Sequence, residues 1–238
     1  MVIKDYFKYL NNIFHEVIEN ESDNIEKAAK LVVESMANGG KFYVFGTGHS
    51  HLVAEELFQR AGGLSNIEAI LPPELMLHEY PGKSTMIERL EGYGRGLFNL
   101  YDIKEKDCFL IISNSGRNAA PIEMAMSAKE KGCAVIVMTS LAHSQSVASR
   151  HHSGKHLFDF GDVVLDTHAP IGDAGFELQG LDTKVGPVSD FIGIGMAQAL
   201  TVAIADIMLK QGLTPPILRS ANLDGSEEHN KKVKVQKL

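Results

Sequence analysis

The chain has 238 residues, 44% of them hydrophobic and 22% charged, which suits one large domain with appendages better than several domains. A formal net charge of -7 argues against non-specific nucleic-acid binding, which needs Lys and Arg to neutralise phosphates, yet leaves room for a small anion held by backbone amides. The only cysteines, Cys108 and Cys133, each open a predicted buried strand; small core residues are the favoured reading, and a reducing cytoplasm fits them.

In chain order, the opening MVIKDYFKYL is interrupted by acidic and polar residues, so no signal peptide is expected. Residues 4–38 carry helical spacing in two pieces broken around Asn20 to Asp23, with Ser22 as a cap and Gly39 and Gly40 as the stop. Lys41 to Phe45 reads as a strand, followed by Gly46, Thr47, Gly48, His49 and Ser50 and an amphipathic helix through Leu52, Val53, Leu57 and Ala61. A dinucleotide fingerprint would need a third glycine where His51 stands, which disfavours NAD although Glu68 lies near the ribose-binding distance.

Asn66 to Leu71 is the next strand, closed by Pro72 and Pro73. Helical character returns from Ser84 to Leu100, and Cys108 to Ile112 forms an apolar strand. Ser113, Asn114, Ser115, Gly116, Arg117 and Asn118 then lead into a helix capped by Asn118 and stopped by Gly132. This is an anion site in outline: the first amides of a helix lack internal partners and carry partial positive charge, and two serine hydroxyls stand beside them. Ala134 to Met138 is a further strand, ending in Thr139 and Ser140, and Asp162 to Leu165 another.

Residues 166–190 are Gly-rich and read either as a lid or as a surface loop. Phe191 to Leu209 is long and apolar, but Gln198, Asp206, Gly193 and Gly195 point to a buried or subunit-interface helix, so no membrane span is expected. Beyond Gly212 the tail ends in KKVKVQKL, and nothing in the sequence says where it docks.

Strands alternating with helices predict right-handed crossovers and a parallel, doubly wound, flavodoxin-like sheet of about five strands in an α/β/α sandwich. N-terminal helices (1–38) precede a central domain (39–212), and a tail (213–238) follows. Ligands bind such sheets at the carboxyl ends of the strands, where Thr47, Ser50, Ser113, Ser115, Thr139 and Ser140 fall.

The stretches FYVFGTGHSHLVAEEL and CFLIISNSGRNAAPIEMAMSAKEKGCAVIVMTS resemble the sugar isomerase (SIS) domain. The resemblance implies a phosphosugar ligand, with Ser113, Asn114, Ser115, Gly116 and Asn118 on the phosphate and Thr47, Gly48, His49 and Ser50 lining the same pocket beside Thr139 and Ser140. Asn118 stands where many members have Ser or Thr. The word AEEL resembles phosphoheptose isomerase, whose second Glu is an acid/base and metal-associated residue; this makes Glu56 the first candidate for a general base and Glu55, one turn from His51, the second. The 87–107 region resembles N-acetylmuramic acid 6-phosphate etherase, with Glu88 and Glu91 as the nearest acidic candidates for lyase chemistry.

Aldose-ketose isomerisation needs a base between C1 and C2, acid/base help at the oxygens and a polar site for the enediolate. A carboxylate with a histidine suffices, His51 being the first choice and His78, His168 and His229 lying where a segment could close over a pocket. A binding module that senses the sugar without chemistry is the alternative. His51 with Glu55, and His151 and His152 with His156, have zinc-like spacing, but solvated polar faces explain both sets, so no metal or other cofactor is expected. The resemblance also implies a homodimer or homotetramer.

Overall fold

The computed structural model describes residues 1–234; the end of the basic tail, 235–238, lies outside the described residues. The elements run α1 (Val2–Ala37), β1 (Phe42–Gly46), α2 (His51–Leu57), β2 (Ile67–Ile70), α3 (Pro81–Ile87), α4 (Tyr93–Phe98), β3 (Cys108–Ile112) and α5 (Ala119–Glu130). They continue β4 (Ala134–Thr139), α6 (Leu141–Gln145), β5 (Val163–Asp166), β6 (Ala174–Phe176), β7 (Val185–Pro187), α7 (Ser189–Lys210) and α8 (Ser226–Lys234).

Five strands form one parallel sheet in the order β2-β1-β3-β4-β5, as the alternation of strands and helices predicts. Period-2 alternation sends successive side chains to opposite faces, and both faces here are apolar. Phe42, Val44, Cys108, Leu110 and Ile112 meet the layer of α1, α2 and α7. Tyr43, Phe45, Phe109 and Ile111 meet the layer of α4 and α5, where the Tyr43 and Phe109 rings stack at 5.0 Å. The two cysteines are buried and unbridged. Burial raises both thiols above the ordinary range, Cys133 to about 12, which disfavours the thiolate at both positions.

Register decides where a ligand can sit. Gly46 pairs with Ile112, so the loops that follow β1 and β3 leave the sheet side by side. The chain winds one way from β1 through α2 to β2 and the other way from β3 through α5 to β4. The crevice between β1 and β3 is therefore the topological switch point.

Several boundaries differ from the sequence reading. The N-terminal region is one unbroken helix instead of two, because its polar residues bond along the helix: Asn20 Nδ2 donates to Glu16 O at 2.8 Å and Ser22 Oγ to Ile18 O at 2.6 Å. The helix expected from Ser84 to Leu100 is broken over residues 88–92, and Gly92, with a φ of 87°, starts α4 afresh. Within 166–190, β6 and β7 pair as an antiparallel ribbon, and Phe176 packs on Tyr6 and Tyr9 of α1.

α7 has the length and composition of a membrane span, but Ile192, Gly193, Met196, Ala197, Leu200, Ile204 and Met208 are buried within the fold, which makes it a core helix. The tail docks beside the loop before β2. Leu218 exchanges backbone bonds with Gly62 and Gly63, and Ser65 Oγ donates to Val233 O at 3.0 Å.

Candidate active site

At the switch point lies a cavity of about 240 Å³, lined from the β1 side by Thr47, Gly48, His49 and Ser50 and from the β3 side by Ser113, Asn114, Ser115 and Asn118. Eight of the residues expected to bind a phosphosugar thus share one wall system. The turn depends on Gly116, whose φ is 57° and where a Cβ would stand 2.7 Å from Ser144 Oγ. Its N–H donates to Ser113 Oγ at 3.2 Å, and Asn118 then opens α5 with the first-turn amides toward the loop.

Thr139 and Ser140 are fully buried behind this loop and do not line the cavity. Thr139 Oγ1 donates to Asn114 O at 3.1 Å, while Ser140 Oγ donates to Ala169 O at 2.6 Å and accepts from His143 N at 3.0 Å. They hold the loop's shape. Among the described residues, Asn114 Oδ1, Arg117 Nε and Ser144 Oγ are buried without a partner around this turn.

The carboxylate in the cavity is Glu88. Its Oε2 accepts from Thr47 Oγ1 at 2.7 Å and its Oε1 from Asn118 Nδ2 at 2.8 Å, so it bridges the two loops. Burial raises its pKa from the ordinary glutamate value, while the Thr47 and Asn118 bonds pull it partly back. Each oxygen keeps a lone pair free for a further hydrogen bond. Arg150 Nη1 donates to Asn118 Oδ1 at 2.8 Å, which fixes the amide so that its NH₂ faces Glu88. Burial, with Arg117 and then Arg89 nearby, lowers the Arg150 pKa.

Backbone contacts from outside the cavity position Glu88. Ala120 N at the start of α5 donates to Glu88 O at 2.9 Å. The buried Glu123 of α5 accepts from Gly92 N at 2.5 Å and Gly94 N at 2.9 Å, capping α4 just beyond. Gly94 packs so closely on Ala120 O that a Cβ could not fit there.

The residues of the AEEL word lie elsewhere. Glu56 Oε1 is 3.1 Å from both Gln198 Nε2 of α7 and Arg60 Nε, outside the cavity lining. Glu55 is largely exposed, 3.5 Å from His51 Nε2. His51 is buried with its Nδ1 on Gly48 O, and His78 packs edge-on against it at 6.4 Å. His168 faces Glu21 at 3.4 Å, and His229 Nε2 bonds Ile217 O at 2.9 Å; neither reaches the cavity. Asp190, in the first turn of α7, is raised by burial against the opposing pull of His49.

Hydroxyl-rich loops at the β1/β3 switch point of a five-stranded parallel sheet define a SIS-type fold. The sequence model of the SIS domain matches residues 5–140, and the chain belongs to that family. Within it, the similar chains are UPF0309 proteins: that of Halalkalibacterium halodurans is 51% identical over 229 residues, covering 96% of this chain and 95% of the relative. That of Geobacillus kaustophilus is 40% identical over 231 residues, covering 97% and 92%.

Among solved structures, phosphoheptose isomerase from Neisseria gonorrhoeae superposes with a TM-score of 0.56 at 19% identity, covering 86% of this chain and 97% of that one. The Francisella tularensis phosphoheptose isomerase gives 0.57 at 17% identity, covering 86% and 96%. At these identities the likeness establishes the shared fold.

Proposed function

We propose that the cavity binds a sugar phosphate and interconverts its aldose and ketose forms, with Glu88 as the proton carrier between C1 and C2. The observation that carries this reading is a partly buried carboxylate of raised pKa in the same cavity as a serine-rich loop and a helix N-terminus. The phosphate would sit on Ser113, Ser115 and the first amides of α5. Glu88, as the anion, takes the proton from the carbon beside the carbonyl and returns it to the neighbouring carbon, while Thr47 and Asn118 keep the carboxylate aimed. Ser50 and Asn114 supply polar contacts for the enediolate oxygens, and the Ser50 hydroxyl relays the proton that must pass between O2 and O1 as the carbon-bound proton passes between C2 and C1. Glu88 replaces Glu56 in the role of base because Glu56 is spent on Gln198 and Arg60 outside the cavity.

A cytoplasmic homo-oligomer goes with this reading. It is supported by the two free thiols and by the exposed Phe191, Val202 and Leu209 on α7. The test is a panel of aldose and ketose phosphates, read first by thermal shift and then by proton NMR in deuterated water. Stabilisation with deuterium entering at C1 or C2 supports the isomerase. Stabilisation without exchange makes the protein a phosphosugar-binding module, and neither response refutes the site.

A further inference from the structure

One cluster of ligand-bearing side chains takes no part in the cavity. Glu91, His151 and His152 each present one ligand atom, all within 4.8 Å of one another. Glu91 accepts from His152 N at 2.7 Å and stands 2.8 Å from its Nδ1, while the two imidazole rings lie 4.2 Å apart. The Nδ1 of the buried His151 is 2.7 Å from Ser153 Oγ. Ser153 N also donates to this Nδ1 at 3.3 Å, so without an ion the ring proton sits on Nε2; an ion at Nε2 takes that place as the proton moves to Nδ1, where the Ser153 hydroxyl accepts it, the arrangement by which metal-bound histidines are oriented.

We propose that Glu91, His151 and His152 form a site for a divalent transition-metal ion of the zinc class. Tetrahedral zinc, with bonds of about 2.0–2.1 Å, sets its ligand atoms about 3.4 Å apart, within the spread of the three groups. Glu123 Oε1, 3.7 Å from His151 Nε2, already accepts backbone bonds and serves as a second negative charge beside Glu91, enough to balance a dication. His156, which shares the sequence cluster, is excluded because its Nε2 bonds Val147 O at 2.8 Å.

The site has a mechanical consequence. Glu91 follows Glu88 by three residues, and His151 follows Arg150, the residue that orients Asn118. An ion bound here ties the segment carrying Glu88 to the loop that aims its partner, whatever ligand the cavity takes.

The experiment uses the full chain, stripped with a chelator and titrated separately with Zn²⁺ by calorimetry and Co²⁺ by visible absorption. Expected are one ion per chain, the visible bands of a low-coordinate cobalt site and a rise in Tm with Zn²⁺. His152→Ala and Glu91→Gln, both at exposed side chains, should weaken binding at least about tenfold and abolish the Tm rise. His51→Ala should bind as the wild type does. Equal melting of His152→Ala, Glu91→Gln and the wild type in chelator separates ligand loss from misfolding. No saturable binding by the wild type, unchanged affinity in both cluster variants, or loss confined to His51→Ala overturns the proposal.

Discussion

Replacing Glu88 by Gln exchanges one carboxylate oxygen for an amide and leaves the geometry of the cavity intact. The remaining oxygen still accepts from Asn118 Nδ2, and the Thr47 hydroxyl rotates from donating to Glu88 to accepting from the new NH₂. What the variant loses is the ability to take a proton. Positioned acid/base catalysis is worth about 10²–10⁴ in rate, or about 2.7–5.5 kcal/mol at 1.36 kcal/mol per decade. The exchange rate in deuterated water, measured with whichever phosphosugar gives the largest thermal shift, should fall by that factor while the shift itself stays. The stability of the variant gives an independent reading. Burial raises the folded pKa of Glu88, so the folded protein binds more protons than the unfolded chain between the two pKa values, and wild-type stability falls as pH rises through that window. Glu88→Gln should therefore melt at or above the wild-type Tm on the alkaline side of the window and lose that advantage below the unfolded value. Undiminished exchange in the variant would remove Glu88 from the chemistry.

Thr47→Val removes the hydroxyl that favours the Glu88 anion, so the rise of rate with pH should shift to higher pH; an unchanged profile would refute the coupling. Gly116→Ala forces a Cβ into a left-handed turn and against Ser144 Oγ, which should cost at least about 1–2 kcal/mol by denaturant titration and reduce the phosphosugar thermal shift. Glu123→Leu strands the buried Gly94 N–H and turns the exposed Gly92 N–H over to water, so at about 1–3 kcal/mol for one buried unsatisfied donor the loss should exceed about 1 kcal/mol; a loss under about 0.5 kcal/mol would show that α4 is capped by other means. Glu56→Gln should leave the deuterium exchange rate within about twofold, the scatter expected of a change outside the reacting groups. A collapse of exchange would return the role of base to α2.

The segments legible in the sequence were those whose meaning is local. Cys108 to Asn118 reads as strand, turn and helix start because its apolar run and its Gly at positive φ lie within one short stretch; Asn118 takes the N-cap position as expected, but its side chain bonds Glu88 and Arg150 and caps nothing. The continuity of α1 was not legible: Asn20 and Ser22 carry breaker chemistry, and only the folded helix shows their side chains bonded to the preceding turn. Glu88 was reachable by resemblance but not by spacing. Its approach to Thr47 and Asn118 depends on Ala120 N, Glu123 and the missing Cβ of Gly94, contacts that join α5 to a segment about thirty residues earlier.

The winding of the sheet explains why the two carboxylates of α2 and the one after α3 end in different places. α2 starts at the strand ends and descends along the face shared with α1 and α7, so Glu55 and Glu56 lie about 6–7.5 Å down its axis, one toward solvent and the other toward Gln198. The chain then returns over the opposite face, where α3 ends at Ile87 and delivers Glu88 back across the mouth of the crevice. A base on α2 would have to act on a substrate reaching along that helix from Gly48. A base at Glu88 would act on one seated between the β1 and β3 loops, where the serine hydroxyls and the α5 amides already converge.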